Sequence, residues 1–298
     1  MEYSLNTFAR LLQTCEKYNK KIYEIMQEKE AFDFDITVSE VRSKTQKTLN
    51  AMKSAIKNGL CSTQKSISGL CGDDCVRLTE KYKKQKAIFG NIFEKITSYA
   101  LATVEENLRM NIIAACPTAG SCGIVPAVLI SLSEEYNLSM DEQINALITA
   151  GAIGYVISSK MPMAGAVAGC QAECGVASAM SAALAVQIAG GNTSQIINAA
   201  ALALKNILGL TCDPVSGLVE IPCVKRNAFL AVHAITASEL ALADIESKIP
   251  ADEVVDAMVQ TGQLMPPVLK ETSLGGLAVT KSAVKISEKL RRPNKNSR

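Results

Sequence analysis

The chain has 298 residues, of which 48% are hydrophobic, and its 31 lysines and arginines against 29 acids leave a net charge of +2. This apolar content supplies a large core. The only basic block is the end 291–298, which together with the near-neutral charge argues against the clustered basic face of a nucleic-acid-binding protein. We expect one domain over residues 1–298 and no nucleic-acid partner. Residues 1–100 carry more charge than the rest, which predicts an outer helical layer, and the basic end 291–298 is expected to be a flexible tail.

The N-terminal residues lack the basic and continuous apolar stretches of a secretory signal, so we predict a cytoplasmic protein. Its ten cysteines are then expected to stay reduced and to serve packing, metal binding or catalysis. A single histidine, His233, is too few for zinc sites that need two histidines. Any metal site must therefore depend on sulfur.

Helical patterns dominate the chain. The capping box Thr37-x-x-Glu40 predicts a helix start, and Gly59 stands where that helix should end. Ser139-x-x-Glu142 predicts a second start, and Asn192 a third, with that helix ending at Gly209.

One segment, Asn111–Ala115, has the pattern of a short strand, although a buried helix end would give the same pattern. Residues 161–191 are rich in alanine and glycine, which favours close helix packing. A membrane span is disfavoured because Glu173 lies near the centre, where an acid costs about 2.5–3.5 kcal/mol. We predict instead a helix buried on all sides, within a mainly α fold: a helical bundle with an apolar central helix layer and few or no strands.

Three cysteines lie in segments punctuated by glycine or proline: Cys170 in 169–175, and Cys212 and Cys223 in 212–223. Such turns suit an iron-sulfur ligand, because its thiolate must point at a shared centre while backbone N–H groups offset the negative charge. The compact C-x2-C spacing of ordinary clusters is absent. Spacing alone therefore leaves both a cluster and buried structural thiols open.

The same blocks resemble the signature blocks of the bacterial iron-sulfur-dependent L-serine dehydratase α subunit, and the resemblance spans nearly the whole chain. The blocks that carry it are Gly169–Met180, Leu204–Pro214, Pro222–Ala228, Ser62–Ser66, Ser68–Leu70, Pro117–Gly123, Met265–Pro266, Leu269–Thr272 and Gly275–Ala278.

The resemblance implies that Cys170, Cys212 and Cys223 hold a 4Fe-4S cluster. Three thiolates leave one of four irons without a protein ligand, and that iron is a Lewis acid for L-serine. The implied reaction is a lyase reaction that gives pyruvate and ammonia without pyridoxal phosphate. Cys174, four residues after Cys170, is a competing ligand.

The loop 117–123 contains glycines and hydroxyl side chains that suit a carboxylate, and the resemblance strengthens this interpretation. Arginine suits a bidentate carboxylate contact, although a structural ion pair is an equal alternative for it. The predicted substrate-binding residues are Thr118, Ala119, Gly120, Ser121, Arg226 and Asn227.

Other polar residues are assigned more weakly. Lys270 and Glu271 are candidates for the site wall, with a surface helix as the alternative. His233 is interpreted as a satisfied core or lining residue rather than the base. Cys71 and Cys75 are interpreted as structural thiols, and Cys122 is left open because it lies in the loop 117–123.

Two departures from the family pattern bear on function. Val167 stands where the family has an acid, which leaves open a lyase for a related β-substituted amino acid. A Ser-Ser-His-Thr motif found in single-chain members is absent here, so the resemblance implies an α subunit that works with a β subunit, a possible source of the unknown base. A non-enzymatic iron-sulfur sensor is the alternative from another functional class. No membrane partner is expected.

Overall fold

The computed structural model describes residues 4–291, and within this range it contains thirteen α-helices and no β-strand. Extended pairing there is limited to one isolated bridge between Cys212 and Lys270. The mainly α prediction is confirmed. The helices are α1 Phe8–Tyr18, α2 Ile22–Asp33, α3 Val38–Cys61, α4 Asp74–Lys84, α5 Gly90–Leu108, α6 Ile124–Glu135, α7 Met140–Ser158, α8 Gly165–Ala168, α9 Cys174–Ile188, α10 Thr193–Lys205, α11 Cys223–Leu242, α12 Ala251–Leu264 and α13 Lys281–Arg291.

The predicted tail 291–298 lies outside the described residues except for Arg291, which ends α13. None of the described helices is both long enough and apolar enough to span a membrane.

Side-chain caps begin three helices where the sequence predicts them. Glu40 N donates to Thr37 Oγ1 at 3.2 Å before α3, and Ser139 starts α7 with a capping box of the same kind. Asn192 Oδ1 accepts from Gln195 N at 2.9 Å before α10. These bonds satisfy backbone donors that the first helical turn leaves unpaired, so the three predicted starts are confirmed.

The two predicted glycine stops are wrong. Gly59 lies inside α3, which continues to Cys61, and a Cβ at this position would overlap the backbone of Ala102 on α5. Gly59 therefore permits the close crossing of α3 and α5. Helix α10 ends at Lys205, and Gly209 lies beyond it in a turn with φ +87°.

The segment Asn111–Ala115 forms neither the predicted strand nor a buried helix end. It is irregular and follows α5, and its first apolar residue, Ile112, is 82% exposed. A β-branched run forms a strand only where a neighbouring strand accepts its hydrogen bonds, and the described part of the chain offers none.

Helix α9 is the centre of the molecule. Every residue from Cys174 to Val186 is buried, and the helix packs against α6, α7, α10 and α11. Its alanines, with small neighbours such as Gly175 and Ser178, allow these four helices to approach from all sides. The predicted fully buried helix is therefore confirmed for α9, whereas residues 161–173 form turns and the short α8. The N-terminal end of α9 carries the cysteine-rich segment.

A buried ionic group, the Arg109 triad, fixes the loop 62–72 next to α5. The Arg109 guanidinium, whose side chain is fully buried, lies 3.2 Å from Glu105 Oε2 and 2.9 Å from Glu106 Oε1. Its remaining N–H groups donate to backbone carbonyls of the loop, among them Gln64 O at 2.7 Å. One cation thus pairs with two acids and a polar loop in the interior, where an unpaired charge would be costly.

Candidate metal centre and substrate loop

Cys170 is presented by a tight turn that ends at α9. It opens a short 3-10 turn, Cys170–Ala172, after Gly169, whose φ of +78° favours glycine. A Cβ at Gly169 would lie 2.6 Å from the carbonyl oxygen of Leu210. The glycine therefore lets the turn pack directly against the segment that leads to Cys212.

Cys212 is held by backbone pairing with the C-terminal part of the chain. Its N–H donates to Leu269 O at 2.9 Å, and its carbonyl accepts from Glu271 N at 2.6 Å. Lys270 and Glu271, the predicted wall residues, therefore lie directly beside Cys212. They occupy an irregular segment rather than the surface helix that was the alternative.

Cys223 is the first residue of α11. The same helix carries Arg226 and Asn227 in its first turns, so all three side chains originate next to one another. Cys170, Cys212 and Cys223 are each at least 95% buried, with exposures of 0%, 2% and 5%. Three turns that are separated in sequence thus bring three buried thiols to one region at the end of α9.

The closest donor atoms belong to Cys170, Glu173 and Cys212, whose ligand atoms all lie within 4.8 Å of one another. Cys223 lies outside this tight group. Burial raises the pKa of its thiol to about 12, and the charge on the nearby Cys170 adds to the increase. Cys174 is also close enough to Cys170 to lower the pKa of the Cys170 thiol. The structure therefore brings Cys170 and Cys212 together with Glu173, and it places Cys174 and Cys223 near them.

Cys170 is the member of the group best suited to be a thiolate. Hydrogen bonds from the thiols of Cys174 and Cys212, followed by the charge of Arg226, lower its pKa to about 3. The pKa values of Cys174 and Cys212 are raised, chiefly because each thiol donates to the Cys170 sulfur. A negative sulfur is thus stabilised at the centre of the group, as metal ligation requires.

Arg226 makes several bonds around the cysteines. Its Nη1 lies 3.1 Å from Cys170 Sγ and 2.8 Å from Thr211 O, and its Nη2 lies 2.9 Å from Asp213 Oδ1. The other carboxylate oxygen of Asp213 accepts from Leu277 N at 2.8 Å. The ion pair that the sequence left as an alternative is therefore present, at the cysteine group itself.

Asn227 is fully buried and binds the loop 117–123. Its Oδ1 accepts from Gly123 N at 2.9 Å, while its Nδ2 donates to Gly120 O at 2.8 Å and to Cys223 O at 3.0 Å. Both ends of the amide thus engage backbone groups. Asn227 fixes the predicted substrate loop against the start of α11.

The loop itself faces Glu173. The Thr118 hydroxyl donates to the Glu173 carboxylate and lies 3.1 Å from Ser121 Oγ. Ala119 contributes its carbonyl, which accepts from Asn107 Nδ2 at 3.2 Å. The four predicted loop residues, Gly120 included, therefore lie beside the cysteine group.

Glu173 is the site residue that the sequence analysis missed. Burial raises the pKa of its carboxyl to about 7. The sequence did contain a signal for it: Glu173 is the one charged side chain in the block 169–175, three residues after Cys170 and next to Cys174. The contact with Thr118 depends on tertiary structure and leaves no pattern in the sequence.

The remaining cysteines are outside this group. Cys61 is exposed. Cys71, Cys75 and Cys122 are buried in a small apolar cluster, and burial raises the pKa of Cys75 and of Cys122 to about 12. They behave as neutral packing groups.

His233 bonds to Ser178 Oγ through Nδ1 at 2.9 Å, and burial lowers its pKa. It follows Cys223 by ten residues on α11, which places it about 15 Å further along the helix axis. The satisfied histidine agrees with the interpretation as a core or lining residue. Val167, the departure on α8, is 43% exposed, so it adds no apolar side chain among the sulfur atoms.

The donor chemistry fits a thiolate-bound metal centre. Cysteine sulfur selects iron-sulfur clusters, zinc and copper(I) over hard cations. The group combines several thiols with a guanidinium that compensates negative charge, and it is enclosed by buried turns. Cys170 and Cys212, with Glu173 beside them, have ligand atoms close enough to hold such a centre, and the third predicted ligand, Cys223, offers a further thiol nearby.

Comparison with known proteins gives a consistent result. The family model described as "Serine dehydratase alpha chain" matches residues 17–278. A probable L-serine dehydratase alpha chain from Bacillus subtilis is 43% identical over 282 residues, which cover 91% of this chain and 94% of the relative. The L-serine dehydratase alpha chain of Peptoniphilus asaccharolyticus is 39% identical over 95% of this chain and 97% of its own length.

A longer relative shows the same similarity over part of its length. The L-serine dehydratase of Helicobacter pylori is 36% identical over 286 residues, covering 93% of this chain but 62% of the relative. The match by family model and by these relatives extends over most of the chain. The chain belongs to the serine dehydratase alpha chain family.

Proposed function

We propose that the protein is the α subunit of an L-serine dehydratase, a lyase that converts L-serine to pyruvate and ammonia. The observation that carries this proposal is the convergence of three buried cysteines and the loop 117–123 at one end of α9, in a chain that matches L-serine dehydratase alpha chains over most of its length. The fold alone would not support an activity, because a helical bundle hosts many functions.

We propose further that Cys170, Cys212 and Cys223 hold a 4Fe-4S cluster. When bound, a cluster with three thiolate ligands supplies a Lewis-acidic iron for the serine hydroxyl. Arg226, 3.1 Å from Cys170 Sγ, offsets the negative charge of the sulfur ligands. Asp213 keeps the guanidinium in that position.

The substrate carboxylate is assigned to the loop 117–123. The Ser121 hydroxyl supplies a donor at one edge next to Thr118, whose own hydroxyl donates to Glu173. Asn227 holds the loop backbone at Gly120 and Gly123. Asn227 is thus a positioning residue, because both ends of its amide bind backbone groups and not the substrate. Loss of the α-proton and the β-hydroxyl of L-serine gives aminoacrylate and water. The imine tautomer of aminoacrylate then hydrolyses to pyruvate and ammonia. None of these steps requires pyridoxal phosphate.

We assign the base to a β subunit. Relatives named alpha chain have nearly the length of this chain, whereas the Helicobacter pylori protein is substantially longer. The one histidine of the sequence, His233, bonds to Ser178 away from the start of α11. We propose that a β chain corresponds to the part of the Helicobacter pylori protein that this chain does not match, and that this β chain supplies the base.

A single metal ion is the competing occupant. A tetrahedral ion with metal–sulfur bonds of about 2.3 Å holds its ligand atoms about 3.8 Å apart, and Cys170, Glu173 and Cys212 meet within 4.8 Å. Cys223 separates the two alternatives. A cluster uses its thiol, whereas an ion held by the tight group does not.

The test is anaerobic reconstitution of the α and β chains with iron and sulfide, followed by measurement of pyruvate from L-serine. We expect saturable pyruvate release that is lost in Cys223→Ala and retained in Cys61→Ala, because Cys61 is exposed and outside the site. A fully loaded complex that binds iron but releases no pyruvate would support the sensor alternative. Activity on another β-substituted amino acid, without activity on L-serine, would reassign the substrate.

A further inference from the structure

Glu173 is an acidic side chain among candidate sulfur ligands. One of its carboxylate oxygens lies within 4.8 Å of the sulfur atoms of Cys170 and Cys212. The residue immediately precedes α9, at its N-cap position, and its side chain is only partly accessible. Cys212 is far away in sequence, so only the folded chain brings this carboxylate to both sulfurs.

The carboxylate is held in place from two sides. Its Oε1 accepts the hydroxyl of Thr118. Two glycines make room for it: a Cβ at Gly120 would lie 2.6 Å from Oε1, and a Cβ at Gly165 would lie 3.3 Å from Oε2. Any larger side chain at Gly120 would displace the carboxylate, so its position depends on the backbone around it.

No cationic side chain neutralises this carboxylate directly. Within residues 4–291, no lysine or arginine nitrogen lies within 4.0 Å of Glu173. Arg226, whose charge acts on Glu173, is committed to Asp213 at 2.9 Å and to Cys170 at 3.1 Å. Buried charges in proteins are paired with an opposite charge or coordinate a metal. A proton is one way to neutralise Glu173, and the two sulfur atoms within 4.8 Å of its carboxylate oxygen point to a metal cation as the partner of the ionised form.

We propose that Glu173 is the resting ligand of the iron that carries no thiolate, and that L-serine displaces it. This inference rests on the proposed function, because it requires the cluster on the three cysteines. Carboxylate oxygen is an ordinary protein ligand for iron. The substrate must then compete with Glu173, so its apparent affinity is reduced by the fraction of sites that the carboxylate closes.

The test is Mössbauer spectroscopy of the full chain, reconstituted anaerobically with enriched iron, for wild type, Glu173→Gln and Glu173→Asp. Glu173→Gln keeps an oxygen that accepts from Thr118 but removes the anionic ligand. The matched control is Glu220→Gln, which alters another buried acid, bonded to Ser66 Oγ at 2.8 Å. Titration with L-serine in the presence of the β chain gives the apparent Kd.

We expect Glu173→Gln to hold the same iron content as wild type while the signal of one iron in four changes without substrate. We also expect the apparent Kd of Glu173→Gln for L-serine to be lower than that of wild type by about threefold or more. The apparent Kd of Glu173→Asp should lie between these two values, and that of Glu220→Gln should equal the wild-type value. A Glu173→Gln spectrum identical to that of wild type would overturn the inference and leave the proposed function intact. Wild-type protein that assembles no four-iron cluster would instead overturn the proposed function.

Discussion

Replacement of Asn227 by alanine tests how the fold positions the candidate site. The substitution leaves Gly123 N and Gly120 O without the partners that lie at 2.9 and 2.8 Å in the structure. The third bond, to Cys223 O, matters less because that carbonyl starts the hydrogen-bond ladder of α11. A buried polar group left unpaired costs about 1–3 kcal/mol, so two groups predict a loss of about 2–6 kcal/mol.

This loss is a large share of the total of about 5–15 kcal/mol that stabilises a typical domain. Urea denaturation of the reconstituted chain measures it, and the steady-state KM for L-serine reports on the loop. We expect Asn227→Ala to lower stability and to raise KM by at least about tenfold, because the loop 117–123 loses its attachment to α11.

The matched control is Asn198→Ala. Asn198 also joins backbone groups through both ends of its amide, accepting from Ser247 N at 2.8 Å and donating to Ile245 O at 2.9 Å. Both partners follow the C-terminal end of α11, whereas Asn227 lies near its start. Asn198→Ala should lower stability without changing KM. If Asn227→Ala lost less than about 1 kcal/mol, or if the control raised KM equally, the positioning role of Asn227 would be refuted.

Three further predictions concern the scaffold and the thiols. Arg109→Met leaves the acids of the Arg109 triad buried without a cation, which should cost about 3–5 kcal/mol. Burial already raises the pKa of Glu105 above 4.5, so the folded variant retains a proton that the unfolded chain releases. The stability of the variant should therefore fall as pH rises from about 4.5. The slope is at most about 1.4 kcal/mol per pH unit for each such proton. Gly59→Ala should cost about 1–3 kcal/mol by overlap with α5, whereas Gly151→Ala, with nothing within 4 Å of the added Cβ, should gain about 0.5–1 kcal/mol. Iodoacetamide should modify Cys61 first, since it is exposed, without loss of metal.

Each of these has a direct measurement. Urea unfolding at several pH values checks Arg109→Met, and a loss of stability that grows toward low pH would contradict the sign. Equal effects of the two glycine substitutions would contradict the close crossing of α3 and α5. Peptide mass mapping after brief alkylation shows which thiol reacts, and early labelling of Cys170 would contradict its burial.

The local parts of the fold were predictable because their signals lie within a few residues. Thr37, Ser139 and Asn192 cap helices through bonds to residues three positions later, so the sequence contains both partners. Gly59 was misassigned because the reason for glycine there is the backbone of Ala102 on another helix. The strand expected at 111–115 failed for the same kind of reason, since a strand depends on a neighbour that the sequence window does not contain.

The candidate site also has features that the sequence predicts and features that only tertiary contacts create. The cysteines were identified because their sequence blocks resemble those of a family. Their convergence in space depends on closely packed turns, such as that at Gly169, which cysteine spacing does not predict. Arg226 and Asn227 were correctly placed next to the cysteines by their position in the block, but their bonds to Asp213 and to the loop 117–123 arise from tertiary contacts. Glu173 was missed because its partner Thr118 lies on a different turn.

The most direct test of the central claim is the iron and acid-labile sulfide content of the anaerobically reconstituted chain and of its cysteine variants. We predict about four irons and four sulfides per chain in wild type and in Cys174→Ala. Cys170→Ala, Cys212→Ala and Cys223→Ala should each lose the intact cluster. One metal ion without sulfide, or a full cluster retained in Cys223→Ala, would contradict the assignment.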